Sequence, residues 1–219
     1  MCDGSEATMK TTDTHPEAVQ LYKNILRFAD EETAREIALG LPLALVASPE
    51  ERADWVLRVI DALEARFDAA TIKAIRLGCY CNEDEAPEKC KSAGYLCADT
   101  ELFTRVRDWL RELYMASASL EEFVAKANTE NLGWYVENGE LYTKFFECEC
   151  PMLEAVEQLP TFTWCWCTAG YGKRLFEAVF DCPVDVEIIH SIRQGNEFCL
   201  MKVTGVARLA DLHPAQSFL

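Results

Sequence analysis

The chain has 219 residues, with 37 acidic against 21 basic side chains and a formal net charge of -16. Such a surface repels phosphate backbones and anionic lipid, which argues against nucleic-acid and membrane partners. Hydrophobic residues make up 50% and charged residues 26%, the composition of a folded globular protein, and no apolar run is long enough to span a bilayer.

The N-terminal run from Met1 to Thr8 lacks the basic start and apolar core of a signal peptide. The expected location is therefore the cytoplasm. There are eleven cysteines. An odd count without an export signal argues against a disulfide framework, and in a reducing compartment clustered thiols bind metal or do chemistry while scattered ones fill core space.

Residues 1–14 read as a polar, flexible N-terminus. Thr14-His15-Pro16-Glu17 is a helix start, with a hydroxyl cap, proline in the first turn and an acid three residues after the cap. The helix that follows is expected to turn Val19, Tyr22, Ile25, Leu26 and Ala29 inward, with His15 solvated outside it. A second apolar segment, 34–47, is broken by Gly40 and Pro42. Ser48-Pro49-Glu50-Glu51 opens a longer helix with Trp55, Val56, Val59, Ile60, Leu63 and Phe67 inward, and Arg52, Arg58, Glu64 and Arg66 outward. A short helical piece, 69–77, leads to Gly78.

A cysteine-rich loop follows at 79–97, carrying Cys79, Cys81, Cys90 and Cys97 around an acidic segment. Its spacings are irregular for a metal knot, and a reduced loop over a pocket is the alternative. Asp99-Thr100-Glu101 caps another helix. Ser119-Leu120-Glu121-Glu122 is a capping box for a short one. After Asn128 the pattern alternates, and Asn138-Gly139 is the signal of a type I′ hairpin spanning about 132–147. That hairpin delivers Cys148 and Cys150. A helix running to about Phe180 follows, in which Ala169, Gly170 and Gly172 permit close packing, and two strands flank Gln194-Gly195-Asn196. The expected fold is α+β: a helical first part, 15–130, packed on a small antiparallel sheet in a cysteine-rich part, 131–206, with a helix between hairpins. The two parts form one integrated domain, followed by a tail, 207–219.

Cys148 to Cys199 carries the chemistry. The pairs Cys148/Cys150 and Cys165/Cys167 are two residues apart, so an extended backbone would send their side chains to opposite faces. Glu187, His190 and Cys199, with Cys165 or Cys167 upstream, offer a tetrahedral ligand set for zinc. Cys165 and Cys167 also sit at a helix start, where the dipole favours thiolate, and His190 is an available base. Those residues equally describe a Cys167 nucleophile assisted by His190 and Glu187. Trp164 and Tyr171 are candidate walls of a small-molecule pocket.

The run Cys150-Pro151, Thr163-Trp164-Cys165-Trp166-Cys167-Thr168-Ala169-Gly170-Tyr171, Phe180-Asp181-Cys182-Pro183-Val184-Asp185-Val186-Glu187 and Gly195-Asn196-Glu197-Phe198-Cys199 resembles bacterial L-2-amino-thiazoline-4-carboxylic acid hydrolase-like proteins and their cysteine-rich relatives. Residues of about 140–204 carry the resemblance. The last part is also similar to the 4-vinyl reductase small-molecule-binding domain. There Glu187 matches a zinc-ligating glutamate, His190 replaces a cysteine, Cys199 matches the last cysteine, and Cys165 or Cys167 supplies the upstream ligand. These resemblances imply helices on a small antiparallel sheet, a homodimer, and either hydrolysis of a small cyclic C–N bond or non-catalytic binding of a small molecule beside a structural zinc. A thiol-redox protein is a third reading of the cysteine count.

Overall fold

A computed structural model describes residues 14–79 and 100–206. The helices are α1 (Pro16–Ile25), α2 (Glu31–Leu39), α3 (Pro49–Arg66), α4 (Ala69–Leu77), α5 (Thr100–Met115), α6 (Leu120–Ala127) and α7 (Trp166–Phe180). The strands are β1 (Tyr135–Glu137), β2 (Glu140–Phe145), β3 (Asp185–His190) and β4 (Cys199–Thr204), in the order β1-β2-β4-β3 with every neighbour antiparallel. The fold is α+β, with helices packed on a small sheet and α7 between β2 and β3.

Local chemistry sets the boundaries. Ser48 Oγ accepts from Glu51 N–H while the Glu51 carboxylate accepts from Ser48 N–H, a reciprocal cap that starts α3. At Ser119 the exchange is offset: Ser119 Oγ accepts from Glu122 N–H, but the Glu122 carboxylate reaches Ala118 N–H. Asn138 and Gly139 have φ of 53° and 77°, the positive values a type I′ turn demands, so Glu137 faces Glu140.

Three expectations for the helical part are corrected. The inward face of α1 is Ala18, Leu21 and Ile25 together with polar Glu17, Gln20 and Asn24, whereas Leu26 is exposed. The polar residues are buried because they find partners: Asn24 Nδ2 donates to the Gly78 carbonyl at 2.9 Å, and Glu17 pairs with Arg76. His15 is 2% exposed rather than solvated; it is the N-cap, and its Nδ1 accepts from Glu17 N–H. Arg52 is turned onto the later chain, donating to the Pro151 and Ala47 carbonyls and pairing with Glu154.

The interior divides into two cores. One gathers α1–α4 with Met152, Leu153, Val156, Leu159 and Trp164 from the loop after β2. The other gathers α5, α6, α7 and the sheet. Helix α7 joins them. It packs on α4 and α5, and at Gly170 a Cβ would overlap the Leu77 carbonyl, so only glycine permits this approach of α4 to α7. No helix among the described residues is long and apolar enough to cross a membrane.

Candidate functional site

Between the two cores lies a cavity of about 310 Å³. Its walls come from both sides: Leu153 and Trp164 from the first core, Val106, Tyr171, Ile188 and Met201 from the second. Six cysteines open onto it, namely Cys79, Cys148, Cys150, Cys165, Cys167 and Cys199. The seven cysteines of the described residues stand as thiols; the remaining one, Cys182, lies outside this cavity with Sγ near the Gly205 carbonyl.

Each thiol is brought in by a local rule. Strand β2 ends at Phe145 and feeds Cys148 and Cys150 into a 3₁₀ turn at Pro151–Leu153 that Arg52 holds by its carbonyl. Cys165 is the N-cap of α7 and Cys167 lies in its first turn. Cys199 opens β4. Its Sγ accepts from Ile192 N–H at 3.4 Å, and the Cys165 Sγ lies 3.6 Å from the hydroxyl of buried Ser191. Cys79 follows α4 and donates to the Ile75 carbonyl. It therefore belongs with the 148–199 group; Cys81, Cys90 and Cys97 lie outside the described residues.

Beneath the thiols is a buried ion pair. Arg76 is 0% exposed, donates to Glu17 at 2.8 Å and to the Trp164 carbonyl at 3.1 Å, and lies 3.9 Å from the Trp164 ring centroid. Burial opposes its charge, and the Glu17 carboxylate paired with it favours the cationic form. Burial pushes the Cys79 and Cys150 thiols up to about 12 and Cys165 up to about 11, and it raises Cys199 as well. The thiolate expected at Cys165 from its place at a helix start is thus opposed by a larger desolvation effect.

The other sequence-predicted residues divide. His190 lines the cavity, its ring centroid 5.9 Å from that of Phe198, and it follows a register shift that absorbs Ile189 between Ile188 and His190. Trp164 and Tyr171 are walls, as expected. Glu187 is not brought in. It alternates with buried Val186 and Ile188, so it points to the opposite face of β3, where it is exposed and 3.8 Å from Lys73. The grouping of Glu187 with His190 and Cys199 is therefore corrected. Among the described residues no three or more His, Cys, Asp or Glu side chains are arranged to hold one metal ion. The sequence reading missed Glu17, Arg76 and Ser191. The one available signal was an arginine on the apolar face of α4 with Ile72 and Ile75.

The fold and site define an α+β protein with a thiol-lined cavity at the seam of two cores. A model of a family of unknown function (DUF6144) matches residues 12–210, and the chain belongs to that family. No curated protein and no solved structure matches it.

Proposed function

We propose that the protein is a binding module for a small, soft, thiol-seeking ligand, held by the cysteines of the inter-core cavity. The observation that carries this reading is the convergence of six thiols from four separate stretches of chain onto one largely apolar cavity. Soft thiolates select soft metals and metal-containing ligands, and zinc falls within that class. Cavity size and apolar walls suit a small ligand.

Hydrolysis of a small cyclic C–N bond is the second reading, favoured by the presence of Cys167 and His190 in the same cavity. It lacks Glu187, which points to the opposite face of β3.

The test is a calorimetric titration of reduced protein with cadmium chloride. Tight binding is expected, weakened at least tenfold in the Cys148→Ser/Cys165→Ser double variant and unchanged in Cys182→Ser. Affinity indifferent to the cavity substitutions overturns the binding reading. Turnover of a thiazoline carboxylate that His190→Ala abolishes, with cadmium affinity retained, would establish the hydrolase instead.

A further inference from the structure

Two tryptophans of the α1–α4 core meet edge to face, their ring centroids 5.7 Å apart, and their indole N–H groups fare differently. Trp55 Nε1 donates to the Leu41 carbonyl at 3.2 Å. Trp164 is 1% exposed, and its Nε1 is buried with no hydrogen-bond partner among the described residues. A buried donor left unmade bears the full cost of its desolvation, so a buried indole N–H ordinarily finds an acceptor.

The neighbours of the Trp164 ring hold it in place. Arg76 lies on its face, the guanidinium carbon 3.9 Å from the centroid, and donates to the Trp164 carbonyl at 3.1 Å, while Trp55 packs edge-on against it. The ring so held is a wall of the inter-core cavity. On its donor side stands the Cys150 sulfur, in the same wall and only a weak acceptor. The acceptor that Nε1–H lacks is therefore one that the contents of the cavity supply.

The rest of the wall limits what can carry that acceptor. Leu102, Val106, Leu153 and Ile188 offer only carbon. Glu17 is paired with Arg76, and the exposed carboxylates of Glu147 and Glu149 stand at the mouth, with no lysine or arginine among the described lining residues. Two uncompensated negative charges at an apolar mouth repel an anion. The acceptor is then an uncharged oxygen on an apolar body, and a carbonyl is the strong acceptor of that kind.

We propose that the cavity ligand is an uncharged carbonyl compound whose oxygen accepts from Trp164 Nε1. The inference rests on the binding reading above and adds that the thiol-seeking molecule carries a carbonyl for Trp164 to recognise.

A cavity of about 310 Å³ admits a single-ring ketone. Reduced full-length protein with isotope-labelled tryptophan is titrated, by calorimetry and by nuclear magnetic resonance, with acetophenone, with ethylbenzene, which has the shape but no oxygen, and with benzoate, which adds a charge. Acetophenone should bind about tenfold more tightly than ethylbenzene, the effect of one buried hydrogen bond, and benzoate should bind more weakly than acetophenone. One of the five indole N–H resonances should move downfield with acetophenone and not with ethylbenzene. Trp164→Phe keeps an aromatic wall and removes the N–H, so with circular dichroism unchanged its affinities for acetophenone and ethylbenzene should converge. If that variant does not fold, the indole shift in wild type decides. Equal wild-type affinities without an indole shift mean that water meets the N–H, and they overturn the proposal. So does a preference for acetophenone that survives in Trp164→Phe, or a preference for benzoate. Cadmium titration of the same samples separates the two claims. Cadmium bound by the cavity without preference for the ketone removes the carbonyl and leaves the binding reading; failure of both removes both.

Discussion

The two cores meet on α7, yet they are made of different materials. The sheet-side core is aromatic: Tyr114, Phe123 and Phe180 make edge contacts with centroids 4.9–5.8 Å apart, Phe176 stacks on Phe180, and Trp134 meets Phe176 edge-on. The α1–α4 core is mostly aliphatic around one edge-on pair, Trp55 and Trp164, and it encloses an ion pair, a neutral histidine and a floor of thiols. Apolar packing dominates in the first. The second depends on polar groups satisfying one another in low dielectric, where a missing partner costs much more than a missing methyl group. The cavity opens on the second kind of core, where charge and soft sulfur are already buried.

The largest effect expected from breaking this contrast is at Arg76. Arg76→Met removes the cation and strands the Glu17 carboxylate, 4% exposed, without its counter-charge. A loss of about 3–5 kcal/mol in unfolding free energy is expected, the usual cost of orphaning a buried ion. Adding Glu17→Gln should restore much of it. If urea denaturation finds the double variant no better than the single one, the cost lies in lost stacking on Trp164 and not in the stranded charge.

Acid attacks the same core. Burial first, and nearby Arg52 second, lower the His15 pKa from an ordinary 6.5 to about 4. Between those values the unfolded chain binds a proton that the folded chain refuses. Stability from this group is therefore complete above pH 6.5 and is lost as pH falls toward 4, by on the order of 3 kcal/mol in all. His15→Asn keeps an N-capping acceptor and removes the titration. Its urea midpoint should be flatter than wild type between pH 7 and 5. An identical slope in both proteins would assign the acid sensitivity to other groups.

How much of this could be read from the sequence follows the same division. Ser48 with Glu51, and Asn138-Gly139, announce themselves because capping and positive φ are local requirements met by residues a few positions apart. The aromatic core is legible where Phe103, Leu110 and Tyr114 of α5 and Phe176 and Phe180 of α7 recur at helical spacing. The α1 face was misread because hydropathy places Glu17, Gln20 and Asn24 outside, and only Arg76 and Gly78, more than fifty residues away, make their burial tolerable. Cys148, Cys165, Cys167, His190 and Cys199 were all named in advance, and their shared cavity required the fold. Glu187 was misplaced although strand alternation, a local rule, separates it from the wall formed by Ile188 and His190.

The smallest effect sharpens the junction between the cores, and α7 carries its own control. At Gly170 an added Cβ would collide with the Leu77 carbonyl, which is backbone and cannot swing aside. Two residues on, a Cβ at Gly172 would meet Met201 Cε at 3.3 Å, the end of a flexible side chain. Both substitutions gain the helix preference of alanine over glycine, about 1 kcal/mol. Gly170→Ala must also part α4 from α7, an overpacking cost of about 1–3 kcal/mol that outweighs the gain. Gly172→Ala should therefore match or slightly exceed wild type in thermal unfolding, while Gly170→Ala falls below it. Because α4 carries Arg76 and α7 carries Cys167, parting them also widens the seam that the cavity occupies, and cadmium affinity should fall in Gly170→Ala alone. Equal behaviour of the two variants would mean that α4 and α7 are not held at glycine distance.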